Sequence, residues 1–117
     1  MPRYDSARNQ YVYDATGPAI VYTANGAIQH SDGVHAINKS SAAAMTLTPP
    51  TAGEEGMRMT ITGRTAFAHT VVITEGLGGK GGNFDTMTYA AVGDSITLLA
   101  DNLHWVPTAA PYGVVVA

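Results

Sequence analysis

The chain has 117 residues, no cysteine and a formal charge of -3. That is room for one domain with a real core, and it leaves no disulfide or thiolate metal site. Charged residues make up 13% of the chain and hydrophobic ones 45%. The usual charged share is roughly 25%, so part of an Ala-, Thr- and Gly-rich surface is expected to be covered by other subunits. No Lys/Arg run gives a nucleic-acid footprint. No apolar run of about 18 residues gives a membrane span, and the polar N-terminus MPRYDSARNQYVYD has no apolar signal core.

Residues 1–17 are polar, with no helical period, and carry Tyr4, Tyr11 and Tyr13. They read either as a frayed terminus or as an extended arm that orders on a partner, because tyrosine combines large contact area with a polar tip. Tyr11-Val12-Tyr13 has the character of a short strand. Residues 18–117 form the folded domain. Pro18 to Ala24 is the first strand, and Asn25-Gly26 signals a hairpin into Ala27 to His30, since both residues tolerate positive φ. Ser31-Asp32-Gly33 turns the chain into Val34 to Asn38, which has His35 and Ile37 on one face and Val34 and Ala36 on the other. Ser40 to Leu47 has the alanine content of a helix. It is short and stopped by Pro49-Pro50, so Ala43 to Thr48 reads as a strand.

The stretch from Thr51 to Gly82 dominates the rest. Met57, Met59 and Ile61 alternate with Arg58, Thr60 and Thr62, which is the period of a half-buried strand. Gly63 to Ala66 turns the chain into Phe67 to Thr74, with Phe67, Val71 and Ile73 expected inward, and the two strands read as a hairpin-like unit. Gly76-Leu77-Gly78-Gly79-Lys80-Gly81-Gly82 is too rich in glycine for a strand or helix and forms a flexible or tightly turned loop. Asn83 to Tyr89 alternates again, placing Met87 and Tyr89 opposite Thr86 and Thr88. Ser95 to Ala100 is a strand with Ile96 and Leu98 inward, and Asp101-Asn102 makes a hairpin turn into Leu103 to Val106, closed by Pro107. Tyr112 to Ala117 is a terminal strand whose apolar run is expected to be covered on both faces, by a neighbouring subunit among others. About nine short strands with a turn signal every eight to twelve residues predict an all-β sandwich or barrel of antiparallel strands. No internal repeat is visible.

The sequence offers no catalytic constellation. His30, His35, His69 and His104 do not stand at a ligand spacing. His69, in mid-strand, reads as a neutral imidazole hydrogen-bonding a neighbouring chain. Ser40, Ser41 and Ser95 have no base at readable spacing. Glu54-Glu55 reads as a solvated turn, and Asp85, Asp94 and Asp101 lack a calcium-loop spacing, with Asp94 and Asp101 fitting turn caps. The glycine loop fails as a phosphate loop, because Gly81 follows Lys80 and no helix follows. No enzyme activity, metal or cofactor is expected.

The run Ala44-Met45-Thr46-Leu47-Thr48-Pro49-Pro50-Thr51-Ala52-Gly53-Glu54-Glu55-Gly56, then MTITGRTAFAHTVVITEGLGGKGG, then Gly93-Asp94-Ser95-Ile96-Thr97-Leu98 and Leu103-His104-Trp105-Val106, resembles small tailed-bacteriophage head decoration, cement or head-fibre proteins. It covers roughly residues 42–106. The resemblance implies a structural virion protein on the outer capsid surface, bound to the major capsid protein and to itself, as a homotrimer first and a dimer next. Tyr4, Arg8, Tyr11 and Tyr13 would then form the capsid-binding arm, and His69, Val114 and Val116 a subunit interface. The alternative is a carbohydrate-binding or structural module of a phage fibre, with Trp105 exposed to stack on sugars. Burial under the glycine loop is the competing reading of Trp105.

Overall fold

The computed structural model describes residues 19–117 in full and the backbones of two short strands before them. Those two, Pro2–Asp5 (β1) and Gln10–Tyr13 (β2), pair antiparallel with Tyr4 opposite Tyr11. Arg8 and the side chains of Tyr4, Tyr11 and Tyr13 lie outside the described residues.

From Ile20 the chain alternates between two sheets. Ile20–Tyr22 (β3), Gly33–Ile37 (β5) and Arg58–Gly63 (β7) stack parallel in one. Gly26–Ala27 (β4), Ala44–Leu47 (β6) and His69–Ile73 (β8) stack parallel in the other. Each consecutive pair is thus one rung of a two-faced coil. The antiparallel strands Thr86–Tyr89 (β9) and Val115–Val116 (β12) finish the second sheet. Ser95–Asp101 (β10) and His104–Pro107 (β11) finish the first. The sheet orders are β11-β10-β7-β5-β3 and β12-β9-β8-β6-β4.

The architecture is therefore all-β, two mixed five-stranded sheets packed on one core, and not a closed barrel. Three expectations are corrected. The strands are not all antiparallel: β3, β5 and β7 in one sheet and β4, β6 and β8 in the other pair parallel, because each strand crosses to the opposite sheet before the chain returns. Asn25-Gly26 does not close a hairpin: β3 and β4 belong to different sheets, and the Asn25 side chain instead accepts from Ala44 N–H at 2.9 Å and from Lys39 Nζ at 3.1 Å. β7 and β8 are likewise not a hairpin, because Gly63 to Ala66 carries the chain from one sheet to the other.

A structural repeat also emerges. His35 lies beside Ile61 and Met45 beside Val71, so in both sheets the third rung follows the second by 26 residues. Side-chain hydrogen bonds keep the same step: Asp32 to Arg58, Lys39 to Thr65 and Ala43 to His69.

The core is built by the alternation of each strand. His35, Ile61 and Ile96 form one inward row, and Met45, Val71 and Met87 another. Residues i and i+2 of a strand point to one face, which is why Met59 and Ile61, Ile96 and Leu98, and Met87 and Tyr89 are all buried. Phe67 departs from its expected inward place. It precedes β8, remains 41% exposed, and sets its ring edge-on to His69.

Outward rows are largely uncharged, the exceptions being Arg58 beside Leu99 and Asp101 beside His104 at one end of the first sheet. The uncharged rows run Val34–Thr60–Thr97 and Val21–Ala36–Thr62–Ser95 on one sheet, with Ala36 itself covered, and Thr46–Val72–Thr86 and Ala44–Thr70–Thr88–Val115 on the other. Cross-strand threonines join directly, with Thr60 Oγ1 and Thr97 Oγ1 2.9 Å apart. No helix among the described residues is long and apolar enough to cross a membrane.

Candidate functional site

Three of the four histidines sit in defined hydrogen-bond chains, and for His69 and His35 the backbone partners fix the tautomer. His69 is fully buried. Ala43 N–H donates to its Nδ1 at 2.9 Å, so Nδ1 is the acceptor and Nε2 carries the hydrogen. Nε2–H then meets Thr65 Oγ1 at 2.7 Å, and that hydroxyl donates to the Lys39 carbonyl at 2.6 Å. A second proton on Nδ1 would oppose the Ala43 N–H, and burial holds His69 below the ordinary histidine value. His35 follows the same logic. Its Nε2–H donates to Ser31 O at 2.9 Å, and its Nδ1 accepts from Tyr22 Oη at 2.8 Å. Burial, again, lowers its pKa.

His30 is the exposed-side counterpart. Its Nδ1 lies 2.9 Å from Glu54 Oε1 and its Nε2 3.1 Å from Thr48 Oγ1. Glu54 sits in a 3₁₀ turn, Ala52–Glu54, and its Oε1 also takes Thr51 N–H at 2.8 Å and Thr51 Oγ1 at 3.2 Å. Those hydrogen bonds, Thr51 N–H first and His30 second, hold its carboxyl below the usual range. The Trp105 ring meets His30 edge-on, and Trp105 Nε1–H donates to Thr48 O at 2.9 Å.

The hydroxyl–imidazole–carboxylate order of Thr48, His30 and Glu54 is that of a nucleophile, a base and an orienting acid. Acyl transfer also needs N–H groups aimed at the developing oxyanion. The two residues after Thr48 are Pro49 and Pro50, and proline has no backbone N–H to offer. The trio ties the loop after β4 to the turn before β7 and, through Thr48, to β11.

This cluster was not read from the sequence. Its available signal was Thr51-Ala52-Gly53-Glu54, the spacing by which an acid reaches back to cap its own turn. Glu55, too, is more than a solvated turn residue, because its carboxylate accepts from Asn102 N–H at 3.1 and 3.2 Å. Asp94 caps as expected: its Oδ2 accepts from Ala90 and Ala91 N–H, each at 3.0 Å.

The glycine loop is tightly turned. Leu77–Gly79 forms a 3₁₀ turn, Gly81 N–H donates to Glu75 O at 3.0 Å, and Leu77 is buried. A Cβ on Gly76 would run into the Gly81 backbone, and one on Gly79, at φ +72°, would come 2.7 Å from His104 Nε2. The loop walls an apolar cleft of about 370 Å³ between the sheet edges β11 and β12.

The residues expected at a subunit contact differ in exposure. His69 and Val114 are buried within the chain's own core, so neither presents a surface to a neighbour, while Val116 is half-buried and lines the cleft. Exposure in that segment belongs to Tyr112 and Val115. Trp105 is 1% exposed, which removes it as a sugar-stacking platform. Among the described residues, no three His, Asp or Glu side chains gather as a metal site. No family model and no curated protein sequence matches the chain.

Proposed function

We propose that this chain is a structural virion protein that binds the outer surface of a phage capsid as an oligomer, a homotrimer first and a dimer next, and stabilises the shell. The observation that supports this reading is the pair of sparsely charged outer faces, largely rows of Thr, Val and Ala, with Arg58 and Asp101 at one end of the first sheet. Such faces suit burial against neighbouring subunits, because little charge must be desolvated. The resemblance over residues 42–106 supplies the shell as the partner. A symmetric oligomer touching several capsid subunits gains from effective concentration, and a ligand of the assembled shell alone stabilises that shell by linkage.

The experiment is co-sedimentation of the purified chain with intact and expanded capsids, with oligomeric state measured by light scattering. Saturable binding by an oligomer supports the reading. A stable monomer that leaves capsids of its own phage undecorated rejects it. Deleting residues 1–14 tests the arm: the β-domain stays folded and shell occupancy drops, whereas unchanged occupancy removes the arm from the interface.

The stacked rungs favour a second reading, a structural module of a phage fibre. Rungs that contact chiefly their neighbours build elongated objects. A density map of the particle separates the two readings by whether the chain sits on the shell or along a fibre.

A further inference from the structure

We propose that the cleft behind the glycine loop is a binding site for a small apolar monocarboxylate, a ring or short alkyl chain carrying one acid group. Its wall is formed by Leu77, Phe84, Val106, Pro107 and Val116, with Lys80 as its cationic side chain. The cavity of about 370 Å³ falls within the size of small-molecule pockets, roughly 300–1,000 Å³, which combine an apolar lining with few polar groups. At ordinary packing density it accommodates on the order of ten to fifteen non-hydrogen atoms.

Three features select the ligand's chemistry. The apolar wall accepts a hydrocarbon body and offers few hydrogen-bond partners to the hydroxyls of a sugar or a nucleoside. Lys80 Nζ is held over the Phe84 ring, 5.4 Å from its centroid, a placement that fixes the ammonium by attraction to the ring face. Lysine has three donors and no acceptor, so the group that complements it is an anion, and one cation matches one carboxylate.

The loop makes this geometry durable. The hydrogen bonds Lys80 N–H to Leu77 O at 3.1 Å and Phe84 N–H to Gly81 O at 3.0 Å set Lys80 and Phe84 on successive tight turns. The close approach of Gly79 to His104 keeps the loop against β11. A glycine-rich segment with no phosphate chemistry thereby acquires a use, placing a lysine and a phenylalanine at the mouth of an apolar cleft. This site stands apart from shell binding and does not depend on it.

The test is isothermal titration of the full-length chain at pH 7 with 3-phenylpropanoate and with its neutral amide, 3-phenylpropanamide. The expected result is saturable binding of one acid per chain, at least fivefold tighter than the amide. Lys80→Met should remove that preference while leaving amide binding in place, and Lys39→Met should change neither. Amide shifts in ¹H–¹⁵N spectra should cluster at Lys80, Phe84 and Val106. The proposal is overturned by the absence of saturable binding, by equal affinity for acid and amide, or by a preference that survives Lys80→Met. It is equally overturned if a second copy closes the cleft, seen as a dimer that binds neither compound.

Discussion

The two halves of the domain are held together differently. Among β3 to β8 every pairing is parallel and distant in sequence, and the chain must leave each sheet and return before the next rung is paired. From β9 to β12 the strands pair antiparallel, apart from a single parallel bridge of Ser95 to Gly113, and β10 meets β11 through a turn of two residues, Asn102 and Leu103, both at positive φ. Parallel neighbours require long crossings, whereas antiparallel ones can be joined by tight turns. The stacked half therefore depends on its inward rows and on side-chain ties 26 residues apart. The closing half depends more on local turns, and on Trp105 as the large side chain beneath it.

The largest expected effect comes from the closing half. Trp105→Ala should cost about 3–5 kcal/mol for its lost packing, and it also strips the hydrogen bond from Thr48 O. Urea unfolding measures it, and a loss under about 1 kcal/mol would mean that the indole is not the closing half's core residue. In the stacked half, Leu47→Ala and Ile61→Ala should each cost about 2–5 kcal/mol, both side chains being fully buried. A cost within about 0.5 kcal/mol at Ile61 would place it on the outer face.

His69→Leu tests a rung tie rather than packing. The buried Ala43 N–H loses its acceptor, and leaving such a donor unsatisfied costs about 1–3 kcal/mol. His69→Gln, which retains an acceptor, should recover part of that loss; a leucine variant as stable as the parent would remove the tie from the account.

A pH titration sharpens the same point. His35 and His69 both have lowered folded pKa values, so the folded chain takes up those protons less readily than the unfolded one. Their contribution is complete above about pH 6.5, the ordinary histidine value, and is lost as the pH falls through the lowered folded values. The urea midpoint should drop between pH 7.5 and 5.5, and less so in His69→Gln. A midpoint that rises on acidification would reverse the assignment. The smallest effect belongs to the outer faces: Val72→Thr should change stability by no more than about 0.5 kcal/mol while leaving the fold intact.

Burial faces were legible in the sequence because strand alternation is local. Met59 and Ile61, and Ile96 and Leu98, could be assigned inward from their spacing alone, while for Met87 and Tyr89 the spacing gave a shared face without saying that it was the inner one. Partners were less legible. Asn25-Gly26 has the composition of a hairpin turn, but the same two residues serve a corner between sheets, where the Asn25 carboxamide caps Ala44 rather than its own turn. The 26-residue step was hidden because stacked positions share burial and not identity: His35 and Ile37 lie beside Ile61 and Gly63, and Met45 and Leu47 beside Val71 and Ile73. The His30 cluster joins residues from three loops and strands, so apart from the Thr51–Glu54 cap no local pattern announces it. The glycine loop was legible as a turn, while the cleft behind it needs β11 and β12, which arrive only later in the chain.

The central claim is that consecutive strands alternate between two sheets and stack as rungs. Cross-strand backbone nuclear Overhauser effects in the uniformly labelled full-length chain test it most directly. The account predicts contacts joining His35 to Ile61 and Met45 to Val71 in parallel register. Contacts pairing Arg58–Gly63 antiparallel with His69–Ile73, as a hairpin requires, would contradict it.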